Sequence, residues 1–263
     1  MKYDKPASSL QKGMIVLSID DGNADDFRAY ENILAKYEIP ATFNIVTGTI
    51  DTPEHLTMEQ LCRIYQDPRM EIAAHGHTHQ NDDEDIVKSV QALREWLDMP
   101  EGAIGFASPG SQMSTQFIRE NGEHLKELGL LYARTAGNIE LNARHRELQE
   151  ELRQQGAPEY LIENVAQLTY AFDCLCVHSV VVLHDTPLAE LEQLVELAAA
   201  EQACIVFMFH RIKKAGEANA ENTWSYDYEQ FAEFMAYLAR RRNEGAIDIG
   251  TNRQAWELMA QCQ

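Results

Sequence analysis

The 263-residue sequence predicts an α/β protein built on a parallel sheet with covering helices, and three observations carry that reading. Short apolar, β-branched runs alternate with longer segments of helical periodicity along the whole chain, the pattern of repeated strand–helix units. Several of the runs end in polar or ionisable residues: Asp20-Asp21, His75, the Ser108-Pro-Gly turn, Arg134 and His210. In parallel α/β folds sites form at the carboxyl edge of the sheet, so five distant segments can converge there. Length is the third observation. Single α/β barrels reach this size, so one domain over residues 1–263 is the simplest organisation.

The first strand is Met14-Ile-Val-Leu-Ser-Ile19, stopped by the polar turn Asp20-Asp21-Gly22. Phe27, Tyr30, Ile33, Leu34 and Tyr37 fall at helical spacing over 24–38, Pro40 ends that helix, and Ala41 to Val46 is the second strand. Thr57 and Gln60 make a capping box for a short helix running to Gln66. Met70 to Ala74 is a third strand that delivers the histidines at its C-terminal end. Residues 82–98 read as an amphipathic helix with an acidic first turn, which the helix dipole favours. A strand at Ala103–Ala107, a helix over 114–128 and a strand at Leu130–Arg134 follow.

The segment 139–168, rich in Glu, Arg and Gln, reads as a helical surface insertion. Val177 to Leu183 is expected as one strand, with Thr186 capping a helix from Pro187 to about Glu201. Cys204 to Phe209 is the most apolar strand and runs into His210. A polar loop over 211–223, a helix over 227–242, a strand at Ala246–Ile249 and a closing helix from Thr251 complete the chain.

Composition excludes several classes. An apolar content of 45% with 24% charged residues is that of an ordinary globular protein, and no run of eighteen apolar residues offers a spanning helix. The net charge of −20 argues against nucleic acid or anionic membrane as partner, because phosphate binding draws on Lys and Arg. Cysteines 62, 174, 176, 204 and 262 are odd in number and irregular in spacing, which suits free thiols in a reducing compartment. The N-terminal residues lack the apolar stretch of a signal peptide, so the expected location is cytoplasmic. There is no Gly-x-Ser-x-Gly elbow and no phosphate-binding glycine loop.

The stretch Glu71-Ile-Ala-Ala-His-Gly-His-Thr-His places histidines at 75, 77 and 79. His75 and His79 share a face in either a helix or a strand, whereas His77 joins them only on extended backbone. Two imidazoles on one face can hold a borderline divalent ion, and a catalytic site needs a third protein ligand and an open position. The alternative is a solvated, His-rich turn.

Taken together, Ser18-Ile-Asp-Asp-Gly22, Ala41-Thr-Phe43, the histidine stretch, Phe106-Ala-Ser-Pro-Gly110 and a late strand ending in histidine resemble the polysaccharide deacetylase family, carbohydrate esterase family 4. The resemblance implies a distorted (β/α) barrel and a metal-dependent hydrolase that removes N-acetyl groups from a sugar or glycan fragment. It assigns Asp20 as the catalytic base and Asp21, His75 and His79 as metal ligands, and leaves His77 without a ligand role. Zinc suits two histidines and a carboxylate, and cobalt, nickel or iron would also fit. A water activated by the ion would be the nucleophile, and a late histidine the acid.

Two departures bear on the assignment. Ala107 stands where the family usually has the arginine that orients the catalytic aspartate, which makes Arg134 the candidate replacement. Two histidines compete for the acid. Val182-Leu-His-Asp185 has the familiar letters, but Phe207-Met-Phe-His210 is followed by Trp224-Ser-Tyr, a helix and a last strand, the succession of one family branch. His210 is therefore assigned. A hydrolase of a non-sugar amide or cyclic ureide, and a catalytically silent carbohydrate- or metal-binding module, are the competing functions.

Overall fold

A computed structural model describes residues 10–137, 139–172 and 175–260. Cys174, Cys262 and the first nine residues, on which the thiol and N-terminal expectations partly rest, lie outside the described residues. Cys62 and Cys204 are free thiols, and Cys176 and Cys204 are buried.

Strands β1 (Gly13–Asp21), β2 (Ala41–Ile45), β3 (Met70–Ala74), β4 (Ile104–Ala107), β5 (Leu130–Thr135), β6 (Cys176–His178), β7 (Val180–Val181) and β8 (Cys204–Phe209) form a parallel sheet in the order β6–β5–β4–β3–β2–β1–β8–β7. Its two end strands are consecutive in sequence with Ser179 alone between them, so the sheet curls into a nearly closed barrel with helices outside. The run 177–183, expected as one strand, therefore splits. Its first part pairs with β5 and its second with β8. A strand joining both edges of the curled sheet changes partner, and the Ser179 N–H at the change-over donates to Thr135 O at 3.1 Å.

One edge of β1 pairs with β8 over residues 14–19. The other edge is shared. β2 takes residues 18–21, and β11 (Ile247–Gly250) takes residues 13–16. The remaining strands, β9 (Arg211–Lys213) and β10 (Ser225–Asp227), pair as a separate ribbon inside the region expected to be a plain polar loop.

Strand alternation sorts side chains into two environments. Ile15, Leu17, Ile19, Phe43, Phe207 and Phe209 point outward and are fully buried under the helices. Burying a side chain of this size stabilises the fold by about 1.5–3 kcal/mol. Inside the barrel, Met14, Val16, Tyr132, Val177, Cys204 and Val206 pack with Leu10, Phe172 and Met259 into an apolar plug at the amino end. Above it the interior turns polar, with Ser18, Asn44, Arg134 and Asp20 all buried.

Other expectations need correction. Residues 139–168 do form helices, at Ala143–Gln154 and Glu159–Asn164, but they are no surface insertion. Leu148, Leu152, Leu161, Ile162 and Val165 are buried in the main core, so this β5–β6 crossover is part of the helical layer. Its apolar residues are few but fall at helical spacing, which suffices to bury one face. Thr186 does not cap the helix Leu188–Glu201. Its hydroxyl instead accepts from the Leu183 N–H at 3.0 Å, and Pro187 holds the cap position. The helix expected over 114–128 breaks at Asn121 into Thr115–Glu120 and Gly122–Glu127.

Candidate active site

The carboxyl ends of the barrel strands surround a cleft of about 760 Å³. Asp20, Asp21, His75, His79 and His210 line it, together with Ser108, Gly110, Ser111, Met208 and Trp224. Neighbouring residues on a strand face opposite sides, which would part the two aspartates. Asp21 escapes that rule because its φ of 78° is left-handed, and its carboxylate reaches the same mouth as that of Asp20. His79 has a φ of 62°. Such backbone is costly for non-glycine residues and concentrates at functional sites.

The Asp21 Oδ1, His75 Nε2 and His79 Nε2 atoms form a triangle with edges of 3.2 Å between the imidazoles and 3.5 and 3.7 Å to the carboxylate. Tetrahedral ligation at zinc-like bond lengths of about 2.0–2.1 Å sets donor atoms about 3.3 Å apart, so the triangle fits one divalent ion. The His75 Nδ1–H donates to Ala107 O at 2.8 Å, which leaves the Nε2 lone pair for a ligand. Burial pushes the Asp21 carboxyl up, but the hydrogen bond and charge of His75 and the charges of His210 and His79 outweigh it and hold it far below the usual range. Burial pushes His75 down, and Asp20 and Asp21 more than reverse that, so its pKa is raised. His79 is lowered, by burial first and by His75 second.

Asp20 lies on the inner wall, 2% exposed. Its Oδ1 accepts from Asn44 Nδ2 at 2.7 Å, and its Oδ2 accepts from the Arg134 guanidinium. Arg134 is fully buried and also donates to Ser179 Oγ at 3.2 Å. It thus approaches the aspartate from β5, across the space that Ala107 leaves on β4. His210 Nε2 stands 3.9 Å from Asp20 Oδ2, and burial is the main cause of its lowered pKa. The His210 ring packs against the half-exposed Trp224 indole at 4.7 Å between centroids. His184, the competing histidine, is exposed and outside the cleft, its backbone N–H donating to Thr223 O.

The histidine loop is held by a residue outside the motif. Asp85, in the first turn of the helix Asp83–Leu97, accepts from the backbone N–H of His77, Thr78 and Gln80 and from the Thr78 hydroxyl. Burial pushes its carboxyl up, but these bonds prevail and keep it below the usual range. Gly76 lies in the same turn at φ 77°, and a Cβ there would sit 2.6 Å from Asp85 Oδ2. His77 turns away from the triangle, with Nδ1 3.0 Å from Thr47 Oγ1. Asn81 ties this loop to the next one, accepting from Ser108 Oγ at 2.8 Å and donating to Pro109 O at 3.0 Å.

The structure therefore brings five of the six site residues expected from the sequence to one mouth of the barrel and sets the sixth, Arg134, buried behind Asp20. Asn44, Asn81 and Asp85 went unread in the sequence. Asn44 carried a usable signal, since a polar amide interrupts the apolar strand Ala41–Ile45. Asp85 carried none, because an acidic first turn is ordinary in any helix.

Residues 7–130, just under half of the chain, match the model of the polysaccharide deacetylase family. Arg134 and His210 lie beyond the matched stretch. No curated protein matches the chain. Among solved structures, the Xyl-CE4 domain of a multidomain xylanase from the hindgut metagenome of Trinervitermes trinervoides is 14% identical, with a TM-score of 0.49 over 94% of this chain and 91% of that one. A polysaccharide deacetylase from Bacillus cereus is 15% identical, with a TM-score of 0.48 over 69% of this chain and 51% of its own. IcaB from Ammonifex degensii is 19% identical, with a TM-score of 0.40 over 46% of this chain. The chain spans 58% of IcaB.

Proposed function

We propose that the protein is a metal-dependent hydrolase that removes N-acetyl groups from a sugar or glycan fragment. The observation that carries this reading is one cleft with two kinds of equipment: a donor triangle sized for a divalent ion, and beside it a buried aspartate and a histidine outside that triangle. Asp21, His75 and His79 would hold the ion, with zinc favoured by the donor set and cobalt, nickel or iron also suited. When bound, it supplies Lewis acidity and lowers the pKa of water at the site.

The remaining work falls to the chain. Asp20, held at both oxygens, accepts the proton of the attacking water. The backbone N–H of Gly110, in the turn that lines the cleft, would stabilise the developing negative charge on the carbonyl oxygen. His210 donates a proton to the departing amine, a task suited to an imidazole. Trp224 offers a half-exposed aromatic ring at the mouth, a surface on which the apolar face of a sugar can rest.

Arg134 beside Asp20 supplies the arginine that Ala107 does not, which supports an active enzyme over a catalytically silent module. Acetate release from N-acetylated oligosaccharides by metal-loaded protein tests the proposal. Asp20→Asn should lower kcat by about 10²–10⁴-fold while metal binding persists. Absence of release from the sugars, with turnover of cyclic ureides or other small amides in a parallel panel, would transfer the same chemistry to a non-sugar substrate.

A further inference from the structure

Resting on the role proposed for Asp20, we propose that Asn44 is a positioning residue for that base, and that Asn252, from the far end of the chain, holds Asn44 through Ser18. Asp20 and Asn44 are register partners on β1 and β2, with both side chains turned into the barrel. The orientation of the Asn44 amide follows from chemistry, because an ionised carboxylate only accepts and the NH₂ group must face it. Its Nδ2 donates to Asp20 Oδ1 at 2.7 Å and to Ser18 Oγ at 2.8 Å. Asn44 is fully buried, so water does not replace either bond.

The second link enters where β1 and β2 separate. Below Ser18 the β1 edge is taken over by β11, with Gly250 beside Val16, and the chain then turns inward at Thr251. Asn252, also fully buried, donates from Nδ2 to Ser18 Oγ at 3.1 Å and from its backbone N–H to Thr42 Oγ1 at 2.9 Å. Thr42 in turn donates to the buried Glu71 at 2.8 Å. One amide on β2 thus bridges Asp20 and Ser18, and a second amide braces Ser18 from the floor of the barrel. With Arg134 on Oδ2, both Asp20 oxygens have fixed donors and the plane of the carboxylate is set.

The test combines kinetics with structure. Asn44→Ala should lower kcat by about 10- to 100-fold, the equivalent of one lost hydrogen bond to a charged group, with KM and metal affinity unchanged. Asn252→Ala should lower kcat less, and should cost nothing further in the Asn44→Ala background, because its effect passes through Asn44. Additive losses in the double variant would overturn the link, as would a fall in thermal midpoint with kcat per folded molecule intact. Ser18→Ala, which removes the shared acceptor, reports on the same link should Asn252→Ala fold poorly. Crystal structures of the variants give a reading independent of turnover. The Asp20 carboxylate should rotate in Asn44→Ala while Asp21, His75 and His79 stay in place, and an unmoved Asp20 overturns the inference. Wild-type protein inert on every acylated substrate would count against the deacetylase reading, while the Asp20 geometry would still decide this one.

Discussion

Arg134 and Asp20 are a buried ion pair, 0% and 2% exposed at their side chains, and among the described residues no other cationic side chain lies at hydrogen-bonding distance from Asp20. Removing one partner of such a pair strands the other charge. Arg134→Leu is therefore expected to cost about 3–5 kcal/mol of stability, measurable by urea unfolding, and to abolish most turnover. Asp20→Asn/Arg134→Leu should recover part of the stability without recovering activity. The two late histidines separate just as cleanly. His210→Asn should lower kcat by about 10²–10⁴-fold, whereas His184→Asn, at an exposed position outside the cleft, should leave kcat within about twofold of wild type. Equal effects of the two substitutions would reverse the assignment of the acid.

At the scale of elements, the site depends on turns that carry no catalytic residue. Asp85 collects three backbone N–H groups and a hydroxyl from the loop 77–80, so the helix behind the loop sets the position of His79. Asp85→Ala is expected to weaken metal affinity by about 10- to 100-fold, the usual cost of losing support behind a ligand, as read by competition with a chromogenic chelator. The pH dependence has a definite sign. The folded-state pKa of Asp85 is below its ordinary value of 3.8, so its contribution to stability is fully present above that pH and is lost as pH falls through the lower folded value. Acid unfolding of the wild type should therefore begin at higher stability than that of Asp85→Asn, and the two curves should converge at low pH. The ribbon β9–β10 is a second such support. Arg28–Glu217 at 2.6 Å and Lys213–Asp25 at 2.7 Å fasten the ribbon and its loop to the helix Ala24–Ala29, which keeps the wall bearing Trp224 in place.

For the whole molecule, the barrel divides its interior by height. The amino end is closed by an apolar plug, the middle carries the Asn44–Ser18–Asn252 amides, and the carboxyl end holds the ionisable groups. An ion bound at that rim adds stability only to the folded state. Saturating metal at about 1,000 times its dissociation constant should add about 4 kcal/mol, so chelation should lower the thermal midpoint and re-addition should restore it. Asp21→Ala should abolish that shift. A midpoint indifferent to metal in the wild type would count against the triangle as a metal site.

Much of this arrangement is legible in the chain itself. Apolar β-branched runs alternating with helical periods specify the parallel strands and their covers, and Asp20-Asp21, His75 and His79 stand at strand ends because those are the points where burial gives way to the cleft. Local sequence determined the caps at Thr57 and Thr251 as well, since their partners lie three residues away. What spans long sequence distances had to await the tertiary structure. Ser179 is a partner switch only because the sheet curls back on itself, and 139–168 is core only because other helices cover it. Arg134 reaches Asp20, and Asn44 and Asn252 meet at Ser18, through register and barrel closure between segments far apart in the chain. Periodicity records which face a residue occupies. Which residue stands opposite is decided by the packing of the whole barrel.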